Sequence, residues 1–190
     1  MADLIKEIIK ESIRVKEAVL RKLSKDIRVT SNMIATCLKK GGKIIIFGNG
    51  GSAADAQHIA AEFIGRFKLE RQGLAAIALT TNTSVITSIA NDYGYEEIFS
   101  RQMEAIGSDN DIVIGISTSG NARNVISGLL EAKKMGLKTV ALTGSGGGEM
   151  ATFSDVVLVV PSDNTARIQE AHIVIGHIIC ELAEQNLFGK

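Results

Sequence analysis

The side chains best suited to acid–base or metal chemistry fall at helical spacings. His58 and Glu62 are four residues apart in Ala53-Ala-Asp-Ala-Gln-His-Ile-Ala-Ala-Glu-Phe63. Four residues turn an α-helix by about 400°, so both side chains stack on one face. The small residues around them predict close packing, in which an imidazole and a carboxylate are costly unless paired or used. The plainer alternative is a surface i,i+4 pair. Near the C-terminus, Gln169 and His177 are eight residues apart, about 80° around a helix, and so address one cavity. His172 lies about 140° from His177 and reads as a structural or interface residue. If the two segments meet, His58, Glu62, Gln169 and His177 form an imidazole–oxygen set that suits zinc, manganese or nickel. Glu62 and His177 then serve as ligands or as proton carriers, and spacing leaves both open.

Three segments rich in glycine and hydroxyls follow apolar runs and lead into helix starts. They are Gly48-Asn49-Gly50-Gly51-Ser52-Ala53, Ser117-Thr118-Ser119-Gly120-Asn121 and Thr143-Gly-Ser-Gly-Gly-Gly148. Free N–H groups and the helix dipole favour an anion at such places, and hydroxyls add donors. Three hydroxyls leaving an apolar strand gain nothing from burial unless they bond something, so Ser117, Thr118 and Ser119 are expected to hold a phosphate. Ordinary capping by Ser119 or Asn121 is the competing explanation, and a tight turn is the one for Gly146–Gly148. Gly48-x-Gly50-x-x-Ala53 fits the dinucleotide fingerprint, but the second strand ends Leu79-Thr-Thr-Asn82 without the acid that would hold a ribose. The Gly-Lys-[Ser/Thr] of a P-loop is also missing. The anion is therefore expected to be a simple phosphate ester.

These residues need a scaffold that brings strand ends and helix starts together. Short apolar runs at 43–47, 75–79, 112–116, 139–142 and 156–160 read as strands covered on both faces. Helices are expected at 52–66, 83–91, 95–106, 122–135, 147–153 and 165–187. This alternation predicts a three-layer, flavodoxin-like α/β domain with a five-stranded parallel sheet and ligands beyond the strands' carboxyl ends. Residues 3–40 read as helix throughout, with Ser24 or Asp26 capping a second helix that stops at Gly41-Gly42. Its wide apolar face suggests a helical bundle between subunits. The chain is thus expected to be one unit over 1–190, with an oligomerisation arm at 1–42 and the α/β core at 43–190.

Composition narrows the function. The 190 residues suit one domain, with 45% apolar and 22% charged residues. Lys+Arg and Asp+Glu are equal at 21 each, without the basic surplus of a nucleic-acid binder. No stretch is apolar enough to span a bilayer, and the charged N-terminus is no signal peptide. Cys37 and Cys180 lack metal or redox spacing and read as buried thiols of a reducing cytosol. A cytoplasmic location without nucleic-acid or membrane partners is expected.

Phe47-Gly-Asn-Gly-Gly-Ser-Ala-Ala-Asp-Ala-Gln-His58, Ala90-Asn-Asp92, Gly115-Ile-Ser-Thr-Ser-Gly-Asn121, Leu142-Thr-Gly144 and Ala166-Arg-Ile-Gln-Glu-Ala-His172 together resemble the phosphoheptose isomerases of the sugar isomerase (SIS) domain proteins. The resemblance runs over about residues 1–188. It implies a homotetramer with sites at subunit interfaces, and conversion of sedoheptulose 7-phosphate to D-glycero-D-manno-heptose 7-phosphate, the entry to ADP- or GDP-heptose synthesis. It implies substrate contacts at Asn49, Gly50, Gly51, Ser52, Glu62, Asn91, Asp92, Ser117, Thr118, Ser119 and Gln169, to which Asn121 is added as a phosphate contact. It makes Glu62 and His177 the acid–base pair, and His58, Glu62, Gln169 and His177 the ligands of one zinc per subunit. One departure is Ala122, where many members carry a phosphate-contacting serine. A non-catalytic relative that binds a replication initiator shares the glycine and Ser-Thr loops but lacks counterparts of Glu62 and His177. A sugar-phosphate-sensing regulatory domain would need a DNA-binding module, for which the chain has no room. An isomerase of another sugar phosphate is the remaining alternative.

Overall fold

Five short apolar strands lie parallel in the order β2-β1-β3-β4-β5, where the numbers follow the chain. They are β1 (Ile44–Gly48), β2 (Ala76–Ala78), β3 (Ile112–Ser117), β4 (Lys138–Thr143) and β5 (Val156–Val159). The helices are α1 (Ala2–Lys39), α2 (Gly51–Ile64), α3 (Thr83–Tyr93), α4 (Ser100–Ile106), α5 (Arg123–Lys134) and α6 (Thr165–Phe188). This computed structural model describes residues 2–189, and of Ala2 the backbone only. Met1 and Lys190, the ends of the unit expected over 1–190, lie outside the described residues.

Strand alternation divides the core. Ile44, Ile46, Ile112, Ile114, Ile116 and Leu142 face one layer, where α2 and α6 pack and α1 adds Val15, Val19, Leu23, Ile27 and Ile34. Ile45, Phe47 and Val113 face the other, with Met103 of α4 and Val125 and Leu129 of α5. All five residues of β1 and all six of β3 are buried, which explains their unbroken apolar sequence. The three-layer parallel sheet thus agrees with the sequence expectation.

Three elements differ from expectation. The N-terminal region is one helix of 38 residues, with no break at Ser24 or Asp26. The Ser24 hydroxyl bonds back to the Leu20 carbonyl, and Thr30 and Ser31 do the same to Asp26 and Ile27. These hydroxyls are therefore spent inside the helix and cap nothing. The helix expected at 95–106 divides into a single 3-10 turn, Tyr95–Glu97, and α4, after Gly94 at φ 99° has turned the chain. At 147–153 only two 3-10 turns form, Ser145–Gly147 and Glu149–Thr152, because Gly146, Gly147 and Gly148 all have positive φ.

The arm is not detached. From Val15 onward α1 belongs to the core. Its first part is tied to the start of α6 by polar bonds: Arg167 to the Ile8 carbonyl at 3.1 Å and Ser12 to Glu170 at 2.6 Å. The other side of that part leaves Leu4, Ile5, Ile8, Ile9 and Ile13 exposed, Ile5 by 60%. Among the described residues no helix is long and apolar enough to cross a membrane.

Candidate active site

The strand order reverses between β1 and β3, so the chain leaves these neighbours in opposite directions and their loops part to form a crevice. The Asn49 side chain spans it. Asn49 and the buried Asn124 of α5 exchange two amide hydrogen bonds of 2.8 Å, and the Tyr95 hydroxyl donates to Asn49 Oδ1 at 3.0 Å. No side chain caps α2, and among the described residues the N–H groups of Gly50 and Gly51 donate to no protein acceptor. That is the arrangement expected of an anion site at a helix start. Ser52 is buried in the first turn.

The loop after β3 faces the same crevice. The Ser117 hydroxyl is 3.4 Å from that of Ser119, which accepts the Asn121 N–H at 3.2 Å. Asn121 Oδ1 accepts the Glu149 N–H at 2.9 Å, and the Thr118 carbonyl accepts the Gly144 N–H at 3.1 Å. The loop after β4 therefore buttresses the Ser-Thr-Ser loop. Gly120, at φ 69°, is what permits the contact, since a Cβ there would lie 2.0 Å from the Gly147 carbonyl oxygen. Ala122, at the N-cap of α5, supplies no capping bond.

The candidate acid–base residues meet between α2 and α6. His58 Nε2 is 2.9 Å from His177 Nε2, one ring donating and the other accepting, and 3.3 Å from Glu62 Oε1. Ligand atoms of His58, Glu62 and His177 all lie within 4.8 Å of one another. Two imidazole nitrogens and a carboxylate oxygen so gathered suit zinc. Close approach of the helices makes this contact: a Cβ at Gly176 would lie 2.6 Å from Ile59 Cδ1. The Phe67 ring covers His177, with centroids 5.5 Å apart.

Gln169 lies elsewhere on α6. Its amide packs on Gly51, where a Cβ would come within 2.6 Å of Nε2. Gly51 precedes His58 by seven residues, about 10 Å along α2, so Gln169 joins the glycine loop and not the group of three. Asn91 and Asp92 are exposed on α3 and bonded to each other at 2.8 Å.

His172 is fully buried, and its Nε2 contacts the Thr143 carbonyl at 3.2 Å. Burial lowers its pKa to about 4, against a weaker opposing effect of that hydrogen bond. Its full burial and its bond to the Thr143 carbonyl make it a neutral structural histidine. Burial pushes the thiols of Cys37 and Cys180 up, to about 11 and about 12, so both are inert at neutral pH. Asp55, one turn before His58, is also raised by burial, with His58 pulling the other way.

Asn124, Tyr95, Phe67 and the buried pair Arg71–Glu184 were not singled out by sequence. Asn124 carried a signal, a polar residue near the start of an amphipathic helix beside the hydroxyl loop. The other positions depend on long-range contacts that no local pattern encodes.

The SIS domain family matches residues 8–144 of the chain. The chain is 52% identical to the phosphoheptose isomerase of Sulfurimonas denitrificans over 191 aligned positions, covering 100% of this chain and 98% of that protein. Among solved structures, the phosphoheptose isomerase of Neisseria gonorrhoeae superposes with a TM-score of 0.92 at 43% identity, covering 97% of this chain and 98% of the other. That of Francisella tularensis gives 0.94 at 38% identity with the same coverage.

Proposed function

The chain belongs to the phosphoheptose isomerases of the SIS domain family, and from that membership we propose that the crevice between β1 and β3, with the groove between α2 and α6, isomerises a ketose phosphate. It is a sugar-phosphate isomerase, converting sedoheptulose 7-phosphate to D-glycero-D-manno-heptose 7-phosphate in heptose biosynthesis. The observation that carries the site is the meeting of His58, Glu62 and His177 beside loops equipped for a phosphate.

In this reading the phosphate sits on Ser117, Thr118, Ser119 and Asn121, near the unpartnered N–H groups of Gly50 and Gly51. Anchoring the phosphate holds the reacting carbons in place. Ser52, Asn49 and Gln169 line the path between the loops and α6. Glu62 takes the proton from C1 of the open-chain ketose while His177 protonates the C2 oxygen, giving the enediol. Glu62 then returns its proton to C2, and His177 recovers one from the C1 hydroxyl as the aldehyde forms. The exchange of roles between Glu62 and His177 uses the same geometry.

As the alternative to those proton-carrier roles, His58, Glu62 and His177 would hold one zinc ion per subunit, with Gln169, which here packs on Gly51, as the fourth ligand that the resemblance implies. When bound, zinc stabilises the negative charge developing on the substrate oxygens. The exposed apolar side of α1 is read as the core of a homotetrameric helical bundle. The same reading brings Asn91 and Asp92 into a site at a subunit interface. The location is taken to be the cytoplasm.

Turnover of sedoheptulose 7-phosphate by the purified protein tests the reading, alongside Glu62→Gln and His177→Ala. Each variant is expected to lose at least about a hundredfold in kcat while still binding the phosphate ester. Near-normal turnover by Glu62→Gln would remove it from the mechanism.

A further inference from the structure

We propose that the buried ion pair Arg71–Glu184 is a positioning device for both proton carriers, fixing Glu62 through its backbone carbonyl and His177 through the Phe67 ring. The proposal rests on the roles given above to Glu62 and His177. Both side chains of the pair are 1% exposed, with Arg71 Nε donating to Glu184 Oε1 at 2.7 Å. A buried pair of this kind is weak as a source of stability, since apolar replacements often serve as well. Its hydrogen bonds point to another role.

Glu184 accepts three successive backbone N–H groups, from Phe67 at 2.8 Å, Lys68 at 2.9 Å and Leu69 at 3.0 Å. Arg71 donates to the carbonyl of Glu62 at 2.9 Å through Nη2, and to that of Phe63 at 2.9 Å through Nη1. Further bonds reach the carbonyls of Gly65 and Gln72 at 3.2 and 3.0 Å. The guanidinium therefore closes the C-terminus of α2, where a cation and a donor are both favoured. It does so at the residue that carries the carboxylate.

The segment 65–75 contains no helix or strand. Sheet and helix bonds therefore do not fix Phe67, and the three N–H bonds to Glu184 do. The ring so fixed lies 5.5 Å from that of His177 at an angle of 34°. Glu184 is itself on α6, two turns beyond His177, so the helix that presents the imidazole also sets the aromatic wall against it.

The test uses the full-length protein with 13C at histidine Cε1. There are three histidines, and His177→Ala identifies the resonance of His177. Phe67→Leu is expected to shift or broaden the His177 resonance, leave that of His172 in place, and lower kcat about tenfold with KM within about twofold. Phe67→Tyr restores both readouts, because the flat ring is kept. Arg71→Lys keeps the charge but loses the fork, and is expected to disturb His177 as Phe67→Leu does. Should Arg71→Lys not fold, Glu184→Gln takes its place, and a His177 resonance unchanged in whichever of the two folds overturns the proposal. An unchanged His177 resonance in Phe67→Leu, or a Phe67→Tyr as impaired as Phe67→Leu, overturns the proposal. If the wild type does not turn over sedoheptulose 7-phosphate, the isomerase reading falls, while the His177 resonance still decides whether Phe67 positions that ring.

Discussion

A Cβ at Gly51 would lie 2.6 Å from the Gln169 amide nitrogen, so a side chain there makes that flexible amide move. Gly51→Ala should displace Gln169 and raise KM for the sugar phosphate roughly tenfold, equivalent to about 1.4 kcal/mol of binding. Ala122 offers the opposite opportunity. Its backbone is extended, at φ −69° and ψ 113°, and α5 begins without a capping side chain. Ala122→Ser should stabilise the fold by about 1 kcal/mol and lower KM by adding a donor beside the phosphate loop. Thermal melts and steady-state kinetics read both effects. His172 makes a prediction about pH. Folded, its ring stays neutral down to about pH 4, whereas its ordinary pKa is 6.5. The unfolded chain takes up that proton first, so stability is greatest above pH 6.5 and declines as the pH falls towards 4. The loss is about 3 kcal/mol. Urea midpoints measured across this range should fall, and His172→Gln should flatten the slope. At this scale the sequence was informative where chemistry is local. The step from His58 to Glu62 is set by helix geometry, and the angle between His172 and His177 showed that the two rings cannot share one site, though not which of them is buried. Gln169 was harder to place, because an angle around a helix says nothing of the 12 Å, roughly, that separates it from His177 along the axis.

Among the elements, the strands were the most legible, since isoleucine-rich runs such as Ile44-Ile-Ile-Phe47 have no stable place except a sheet covered on both sides. The α6 boundaries were also close, because Asn164 caps the first turn by accepting the Ala166 N–H. Hydroxyl residues misled in α1. Ser24 resembles a cap in sequence, but whether its oxygen accepts from the next turn or donates to the previous one is decided by packing over the whole helix. At 147–153 a glycine turn replaces the expected helix, because Gly146, Gly147 and Gly148 take the positive φ that glycine adopts freely, which is the tight turn weighed from sequence, and the Gly147 carbonyl then lies close against Gly120 of the loop after β3. That contact gives an element-scale prediction. Gly120→Ala combines positive φ with a clash against the Gly147 carbonyl, so it should separate the loops after β3 and β4. We expect a loss of at least about 2 kcal/mol in denaturant unfolding, together with weaker phosphate binding.

For the whole molecule, the exposed row of Leu4, Ile5, Ile8, Ile9 and Ile13 is more apolar surface than one helix tied down by polar bonds on its other side would leave open without cover. If this row forms the proposed bundle between subunits, Ile5→Lys combined with Ile9→Lys should give smaller species than the unchanged protein in analytical ultracentrifugation. Activity should fall with it if Asn91 and Asp92 act across a subunit boundary. Periodicity revealed the apolar stripe on α1, but it could not show that the stripe divides near Val15 into a part claimed by the core and a part left outside. One further consequence comes from the hydrogen bond between Tyr95 and Asn49. The chain has no tryptophan and only two tyrosines, Tyr93 and Tyr95, on either side of Gly94. Excited above the phenylalanine band, emission from this protein therefore originates in a single three-residue stretch, one phenol of which is bonded to the glycine loop proposed to lie beside the phosphate. The molecule carries its own optical reporter, and arrival of a ligand at that loop can be timed by stopped-flow fluorescence without any label.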